Sequence, residues 1–397
     1  MKILYLTHTV SWKGGGIFFT AFHQGRVLAG RGHNVTLVSI SPSARVGIKR
    51  SVVSGVNIVE TPDLFWGKGR TGWDPWDLLN RLLMLENKEY DIIHGFESRP
   101  LVSIPALFLR KRKHVPLVFT WADWFGRGGK GINRGKILSL AMAPLETFFE
   151  ERIYLHADGL IAMGEPLAER ARDLGISNER IMVLLHGSDI RGIAPLPGGK
   201  AREAFPFLPR EGAVLGYLGA LPAENAGLLF QAFDIFRARH GAEAKLVLIG
   251  NSKLNWRRYA PAACQPDVVE PGWTSYEMIN RYLNACDLLV LPIKKTFATD
   301  SVWPSKLNDY LAVGKPIVAT RLRVYADLME KSGAGRLSED TPEALAEECL
   351  AFMKDPDLRM SMGRRARDYA VKELAWERVV DQLEEYYLRI VARARRV

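Results

Sequence analysis

Residues Lys2 to Ile40 read KILYLTHTVSWKGGGIFFTAFHQGRVLAGRGHNVTLVSI. KILYLTH is a short, nearly continuous apolar run, which predicts a strand buried on both faces. Gly14, Gly15 and Gly16 follow, then a stretch of helical pattern through Phe18 to Arg31, then a second strand, NVTLVSI. Strand, glycine loop, helix and strand of this length make one unit of a parallel sheet covered on both sides.

The same unit recurs outward from there. DIIHGF precedes a helical segment from Ser103 to Arg112 and the strand VPLVFTW; DGLIAMG precedes a helix from Glu165 to Leu174 and the strand RIMVLLHG. Between Ile193 and Gly212 the sequence becomes dense in Pro and Gly, as a linker would be. A second alternating series then begins with AVLGYLG and runs through a helix over Ala226 to His240, AKLVLIG, DVVEPGW, a helix over Ser275 to Ala285, and DLLVLP. It ends on WPSKLNDYLAVGKPIVAT, Trp303 to Thr320, which predicts a short helix stopped by Gly314 and followed by a buried strand. The expected fold class is therefore α/β, with two doubly wound parallel-sheet domains in tandem and a ligand cleft at the carboxyl ends of the strands. The expected boundaries are 1–198, 199–375, and a terminal helical segment 376–397 long enough to pack back on the first domain.

Composition agrees. A chain of 397 residues exceeds what one core usually supports. Its 47% hydrophobic and 25% charged residues are ordinary for a globular protein, and no apolar run approaches the ~20 residues of a membrane span. The N-terminus lacks a small-residue cleavage site after its apolar run, so a cytoplasmic protein is expected. Cys264, Cys286 and Cys349 are odd in number and widely spaced, which fits neither a disulfide framework nor a zinc site. The net charge is +10, most of it in residues 1–198, where 25 Lys and Arg face 18 Asp and Glu; residues 199–397 carry 29 against 26. The one dense basic run, Arg110 to His114, reads as a solvated helix end, not as a nucleic-acid patch interleaved with aromatics.

Taken together in this order, KGGGIFF, HADGLIAMGEPLAERARDLGISNERIMVLLHGSDI, VLGYLGALPAENAG and PSKLNDYLAVGKPIVAT resemble the GT-B glycosyltransferases of family 4, retaining enzymes that use nucleotide sugars. The resemblance covers nearly the whole chain and extends to a subgroup acting on polysaccharide or lipid-linked acceptors. It implies two Rossmann-like domains, a UDP-sugar as the expected co-substrate, no cofactor and no metal. It also implies that Gly15 and Gly16 approach the donor, since glycines let backbone come close to a ligand and the following helix offers N–H groups to anions. A plain tight turn is the alternative. In the second domain the family places an Arg just after the glycine corresponding to Gly219 and a Lys five residues later; here those positions hold Ala220 and Asn225.

Lys306 is the leading substitute for that missing pair. With Pro304 near the first helical position, the N–H groups of Ser305 to Leu307 and the positive helix end would meet a diphosphate. Asp309 matches the family's ribose-binding acid, shortened by one methylene. The sugar-side acid falls on Ser301 with Asp300 beside it, and Asp300 is assigned to sugar hydroxyls. Trp273 occupies the loop that cradles the base. On the acceptor side Asp123, in VFTWADWFGRGG, would orient or deprotonate a hydroxyl, with Trp121 and Trp124 flanking it; a loop-capping Asp is the alternative. His94 and Glu97, in HGFESRP, are further acceptor candidates, although His94 would equally suit a core position. His186 and Asp189 belong to a turn at the domain junction. A peripheral membrane contact is expected where Arg127, Lys130, Arg134 and Lys136 adjoin Ile137, Leu138, Leu140 and Met142; a buried helix with a basic cap is the alternative. The competing functions are a sugar-nucleotide epimerase on the same fold and an inactive binding module.

Overall fold

The computed structural model describes residues 1–12, 15–64, 72–127, 129, 136–196, 200–241, 243–250, 254–272 and 274–395. It divides into two compact units: residues 1–186, 301–303 and 376–397 form the first, and residues 187–300 and 304–375 the second.

In the first unit the chain runs β1 (Lys2–Val10), α1 (Gly15–Gly30), β2 (Asn34–Ile40), β3 (Lys49–Val53), β4 (Val56–Thr61) and α2 (Pro75–Leu85). It continues through β5 (Ile92–Phe96), α3 (Pro100–Lys113), β6 (Leu117–Trp121), α4 (Lys136–Ile153), β7 (Gly159–Ala162), α5 (Glu165–Asp173) and β8 (Ile181–Val183). The sheet has the order β3-β4-β2-β1-β5-β6-β7-β8, parallel except where β3 pairs antiparallel with β4. Alternation along β1 explains its apolar character: Ile3 and Tyr5 enter one core while Leu4 and Leu6 enter the other. On the first face lies α1, through Phe18, Ala21 and Phe22; on the second lie residues of α2, α3, α4 and α5.

The second unit contains α6 (Lys200–Glu203), β9 (Ala213–Leu218), α7 (Ala223–His240), β10 (Ala244–Ile249), β11 (Val268–Val269), α8 (Tyr276–Ala285) and β12 (Leu288–Leu291). Then come α9 (Lys306–Val313), β13 (Ile317–Thr320), α10 (Arg323–Ser332), β14 (Gly335–Ser338), α11 (Pro342–Lys354) and α12 (Pro356–Tyr369). Its sheet is entirely parallel, in the order β11-β10-β9-β12-β13-β14. Gly314 ends α9 at φ +69°, the left-handed cap a glycine adopts without strain.

The division falls earlier than the Pro- and Gly-rich linker suggests. Residues 187–196 go with the second unit because its side chains and backbone hold the start of this stretch: Ser188 N–H donates to the Leu374 carbonyl, Asn308 to the Gly187 carbonyl, and Arg367 to the carbonyls of Ile190 and Ile193. The last helix, α13 (Trp376–Ala394), belongs to the first unit. Its Val379, Val380, Leu383 and Tyr387 fill the core beside α1, and Arg31 of the loop after α1 reaches Asp381 at 2.6 Å and Glu384 at 2.7 Å.

Candidate active site

In the first unit the candidate residues gather at the carboxyl ends of β5 and β6. Glu97, directly after β5, takes φ +74°, an uncommon conformation for a non-glycine residue. This turns its carboxylate onto the loop after β6, where one oxygen accepts the N–H groups of Ala122 and Asp123, both at 2.9 Å. Burial, and then the charge of Asp123, push Glu97 well above the usual carboxylate range. Glu150, on α4, braces the next residues of the same loop. One oxygen accepts from Phe125 N–H at 2.9 Å and the Trp121 indole at 3.1 Å, and the other from Gly126 N–H at 2.6 Å. Two arginines complete the mount: Arg170 stacks 3.7 Å from the centroid of Trp124, and Arg99 lies 4.3 Å from that of Phe125 while pairing with Glu146 at 2.5 Å. His186 hydrogen-bonds Thr20 of α1 at 2.6 Å; burial lowers its pKa to about 4, and Asp123 is close enough to oppose that shift.

Several expected acceptor contacts change role. Trp121 is fully buried and Trp124 nearly so, because the braces pull the loop inward; neither offers a face to an acceptor. His94 is a core histidine held between Tyr387 and Thr120, with burial lowering its pKa to about 3. Glu97 is a brace for the Asp123 backbone, not an open contact. Gly15 and Gly16 open α1; a Cβ at Gly16 would meet nothing within 4 Å, so close packing against protein is not what requires that glycine. Lys13 and Gly14 lie outside the described residues.

In the second unit Lys306 opens α9 and folds toward the end of β9. Its ammonium donates to the Tyr217 hydroxyl at 2.7 Å and the Ala220 carbonyl at 3.4 Å, and lies 4.0 Å from the Tyr217 ring centroid. Tyr217 itself donates to the Ala220 carbonyl at 2.9 Å. Gly219, at φ +81°, brings backbone beside this ammonium, where an added Cβ would sit 3.9 Å from it. No carboxylate pairs with Lys306 among the described residues, and burial lowers its pKa to about 7. One turn along, Asp309 is pushed up to about 7 by burial and by Asp189, and both acids are felt by the Tyr276 phenol. The site therefore holds a desolvated cation and a pair of acids, the combination that suits a phosphate next to hydroxyl groups.

The remaining expectations divide. α9 begins at Lys306, not at Pro304, and Leu307 N–H is taken by the Pro304 carbonyl at 2.9 Å, so it offers nothing to a ligand. Ser305 is exposed at the helix start and its side chain makes no cap. Asn225 is buried and accepts Lys294 N–H at 2.9 Å, which makes it an anchor for the loop after β12 and not a donor contact. One oxygen of the half-buried Asp300 accepts Arg323 N–H at 2.8 Å at the start of α10, which caps that helix. Ser301 is buried and belongs to the first unit. Trp273 lies outside the described residues. Among the described residues no group of His, Cys, Asp and Glu converges as a metal site. Tyr217, Glu150 and Arg170 escape sequence reading; the only signal for Tyr217 is a polar-tipped aromatic two positions before Gly219 in an otherwise aliphatic strand.

Two doubly wound α/β units in one chain, the second carrying the half-buried cation Lys306 at its strand ends, have the architecture of the GT-B class. The family model Glycosyltransferase Family 4 matches residues 14–191, and the model Glycosyl transferases group 1 matches residues 212–355. The chain belongs to this family of GT-B glycosyltransferases. It is similar to sucrose-phosphate synthase from Thermosynechococcus elongatus, at 16% identity and TM-score 0.78 over 98% of each chain. It is also similar to HepE from Anabaena in complex with UDP-glucose, at 16% identity and TM-score 0.70 over 97% of this chain and 98% of that one. In sequence, 83 residues are 30% identical to N-acetyl-alpha-D-glucosaminyl L-malate synthase from Bacillus anthracis, which is 20% of this chain and 22% of that relative's length.

Proposed function

We propose that this chain transfers a sugar from a UDP-sugar to a hydroxyl of a glycan, lipid or small-molecule acceptor, with the anomeric configuration retained. The observation that carries this reading is Lys306, a desolvated ammonium with no carboxylate partner among the described residues, seated on Tyr217 and Ala220 where the family's missing Arg would act. A diphosphate is the ligand that would make such a cation favourable, because charge-assisted hydrogen bonds are strongest away from water. The UDP-glucose complex of the similarly folded HepE supports the choice of donor.

On this reading Lys306 stabilises the charge that develops on the leaving diphosphate, and Asp309 accepts ribose hydroxyls. Asp123, on its doubly braced loop, orients the acceptor hydroxyl, and the departing phosphate takes its proton. Neither a metal nor another cofactor enters the scheme, and the protein works in the cytoplasm. A second reading, an inactive binding module, draws on Ala220 and on the commitment of Asn225 to Lys294. Calorimetric titration with UDP, ADP and GDP, followed by a screen of nucleotide sugars that reads released nucleotide, tests both. UDP binding with sugar-dependent release supports transfer; UDP binding without release under any donor and acceptor supports the module; no binding to any of the three nucleotides overturns the donor site.

A further inference from the structure

The basic run Arg110 to His114 ends α3, and the fold uses only part of it. Arg110 pairs with Asp158 at 2.5 Å, Arg112 with Glu86 at 3.1 Å, and the Lys113 ammonium donates to the Lys88 carbonyl at 2.7 Å. The side chains of Lys111 and His114 have no hydrogen-bond or ion-pair partner among the described residues. With Leu107 and Arg110 they share one face of α3 by helical spacing, and that face lines a groove of about 1080 Å³. Other parts of the first unit bring cations to the same groove: His156 ahead of β7, Arg180 ahead of β8, and Arg393 in the last turn of α13. The helix dipole accounts for basic residues at the ends of α3 and α13, but not for His156 and Arg180.

The charge in this groove is unbalanced. Arg110, Lys111, Arg180 and Arg393 face one lining carboxylate, Asp158, whose oxygens are taken by Arg110 at 2.5 and 3.0 Å and by Leu117 N–H at 2.8 Å. Glu179, which does not line the groove, reaches Arg393 at 2.9 Å. Arg180 donates through Nη2 to the Leu155 and Ala157 carbonyls, yet its Nε is buried without a hydrogen-bond partner. A buried donor left unmet calls for an acceptor that the protein does not supply. His114 holds the left-handed cap of α3 at φ +53°, where glycine is the usual residue, so an imidazole is kept there against backbone preference. Between the cations the lining is aliphatic, from Leu107, Val115, Pro116 and Ile390.

Pro116, Asp158 and Arg180 immediately precede β6, β7 and β8, so the groove lies at the amino ends of these strands. The Asp123 loop is at the other end of β6, five residues or roughly 16 Å away. We propose that the groove binds a soluble phosphorylated small molecule, its phosphate taken up among Lys111, His114, His156 and Arg393 and its organic part resting on Leu107, Val115 and Ile390. A phosphate offers several strong acceptor oxygens to donors that arrive from different elements, and the groove is near the top of the size range of small-molecule sites. Because Ile390 and Arg393 belong to α13, such a ligand ties the last turns of that helix to α3 and stabilises the first unit.

Calorimetric titration of the full chain with phenyl phosphate and with inorganic phosphate tests the site. Wild type is expected to bind phenyl phosphate at least about tenfold more tightly than inorganic phosphate, from burial of the ring. The double variant Lys111→Ala, His156→Ala removes no hydrogen bond or ion pair among the described residues and should keep its melting temperature. Its affinity for phenyl phosphate is expected to fall at least about tenfold, and Lys111→Glu alone should produce a comparable loss. Lys306→Ala is expected to leave phenyl phosphate binding intact, which separates the groove from the donor site. Binding abolished by Lys306→Ala overturns the proposal, as does equal affinity of wild type and the folded double variant, equal affinity for the two phosphates, or no wild-type binding at millimolar ligand. Wild type that binds phosphatidylglycerol vesicles through Lys111 and His156 but does not bind phenyl phosphate also overturns it, and assigns these side chains to a lipid headgroup.

Discussion

Lys306 is held beside a hydroxyl and a carbonyl instead of a carboxylate, so its proton is loosely bound until an anion arrives. Lys306→Ala is expected to weaken UDP binding by about 10- to 100-fold, the worth of a charge-assisted hydrogen bond of roughly 1.5–3 kcal/mol, and to depress turnover further; calorimetry and initial rates check it. Near-normal activity would remove Lys306 from the site. A pH dependence follows with a definite sign. Diphosphate binding favours the charged ammonium, so above its pKa of about 7 binding must take up a proton and affinity falls as pH rises. Ribose hydroxyls favour the ionised form of Asp309, which also sits near 7, so affinity falls as pH drops below that value. UDP affinity should therefore peak near neutrality, whereas uridine, lacking the diphosphate, should rise to a plateau with pH. A flat profile for UDP between pH 6 and 9 would contradict the assignment of Lys306.

At the scale of elements, α4 works as a brace. Glu150→Ala leaves the partly buried N–H of Phe125 and the buried N–H of Gly126 without their acceptor. The expected cost is about 2–4 kcal/mol in the stability of the first unit, seen as a lower melting temperature for its calorimetric transition. Glu150→Gln, which keeps one acceptor oxygen, should cost less. This element also shows what the sequence carries and what it withholds. Strands such as NVTLVSI and AVLGYLG are legible because burial on both faces forces continuous apolar runs, and Gly314 is legible because a left-handed cap excludes most other side chains. A helix in which Glu146 and Glu150 point inward looks ordinary in one dimension, since helical spacing defines its faces but not which of them is buried. Trp121 and Trp124 invite an acceptor role for the same reason: the arginine and carboxylate that draw them inside come from α5 and α4, dozens of residues away. Tyr217 receives Lys306 only once β9 and α9 are brought together, a pairing no local pattern states.

For the whole molecule the decisive segment is α13. Trp376, Val379, Val380, Leu383, Tyr386, Tyr387, Ile390 and Val391 are buried in the first unit, and Tyr387 hydrogen-bonds both His94 and Tyr5 at its centre. Deleting residues 376–397 removes apolar burial worth about 1.5–3 kcal/mol for each large side chain, far more than the net stability of a typical domain. Calorimetry of the truncated chain is expected to retain the transition of the second unit and lose that of the first. Two intact transitions would show that α13 is dispensable.

The chain starts in the first unit, leaves it after His186, returns for Ser301 to Trp303, and finishes it only with the final helix, whereas the second unit is complete at Ala375. Synthesis on the ribosome therefore reverses the usual order. The N-terminal half must wait, with the sheet face that α13 will cover still open, while the remaining two hundred or so residues are made, roughly 10–40 s at 5–20 residues per second. The half that is translated second becomes the half that folds first, and the newborn chain depends during that interval on whatever shields an unfinished apolar sheet.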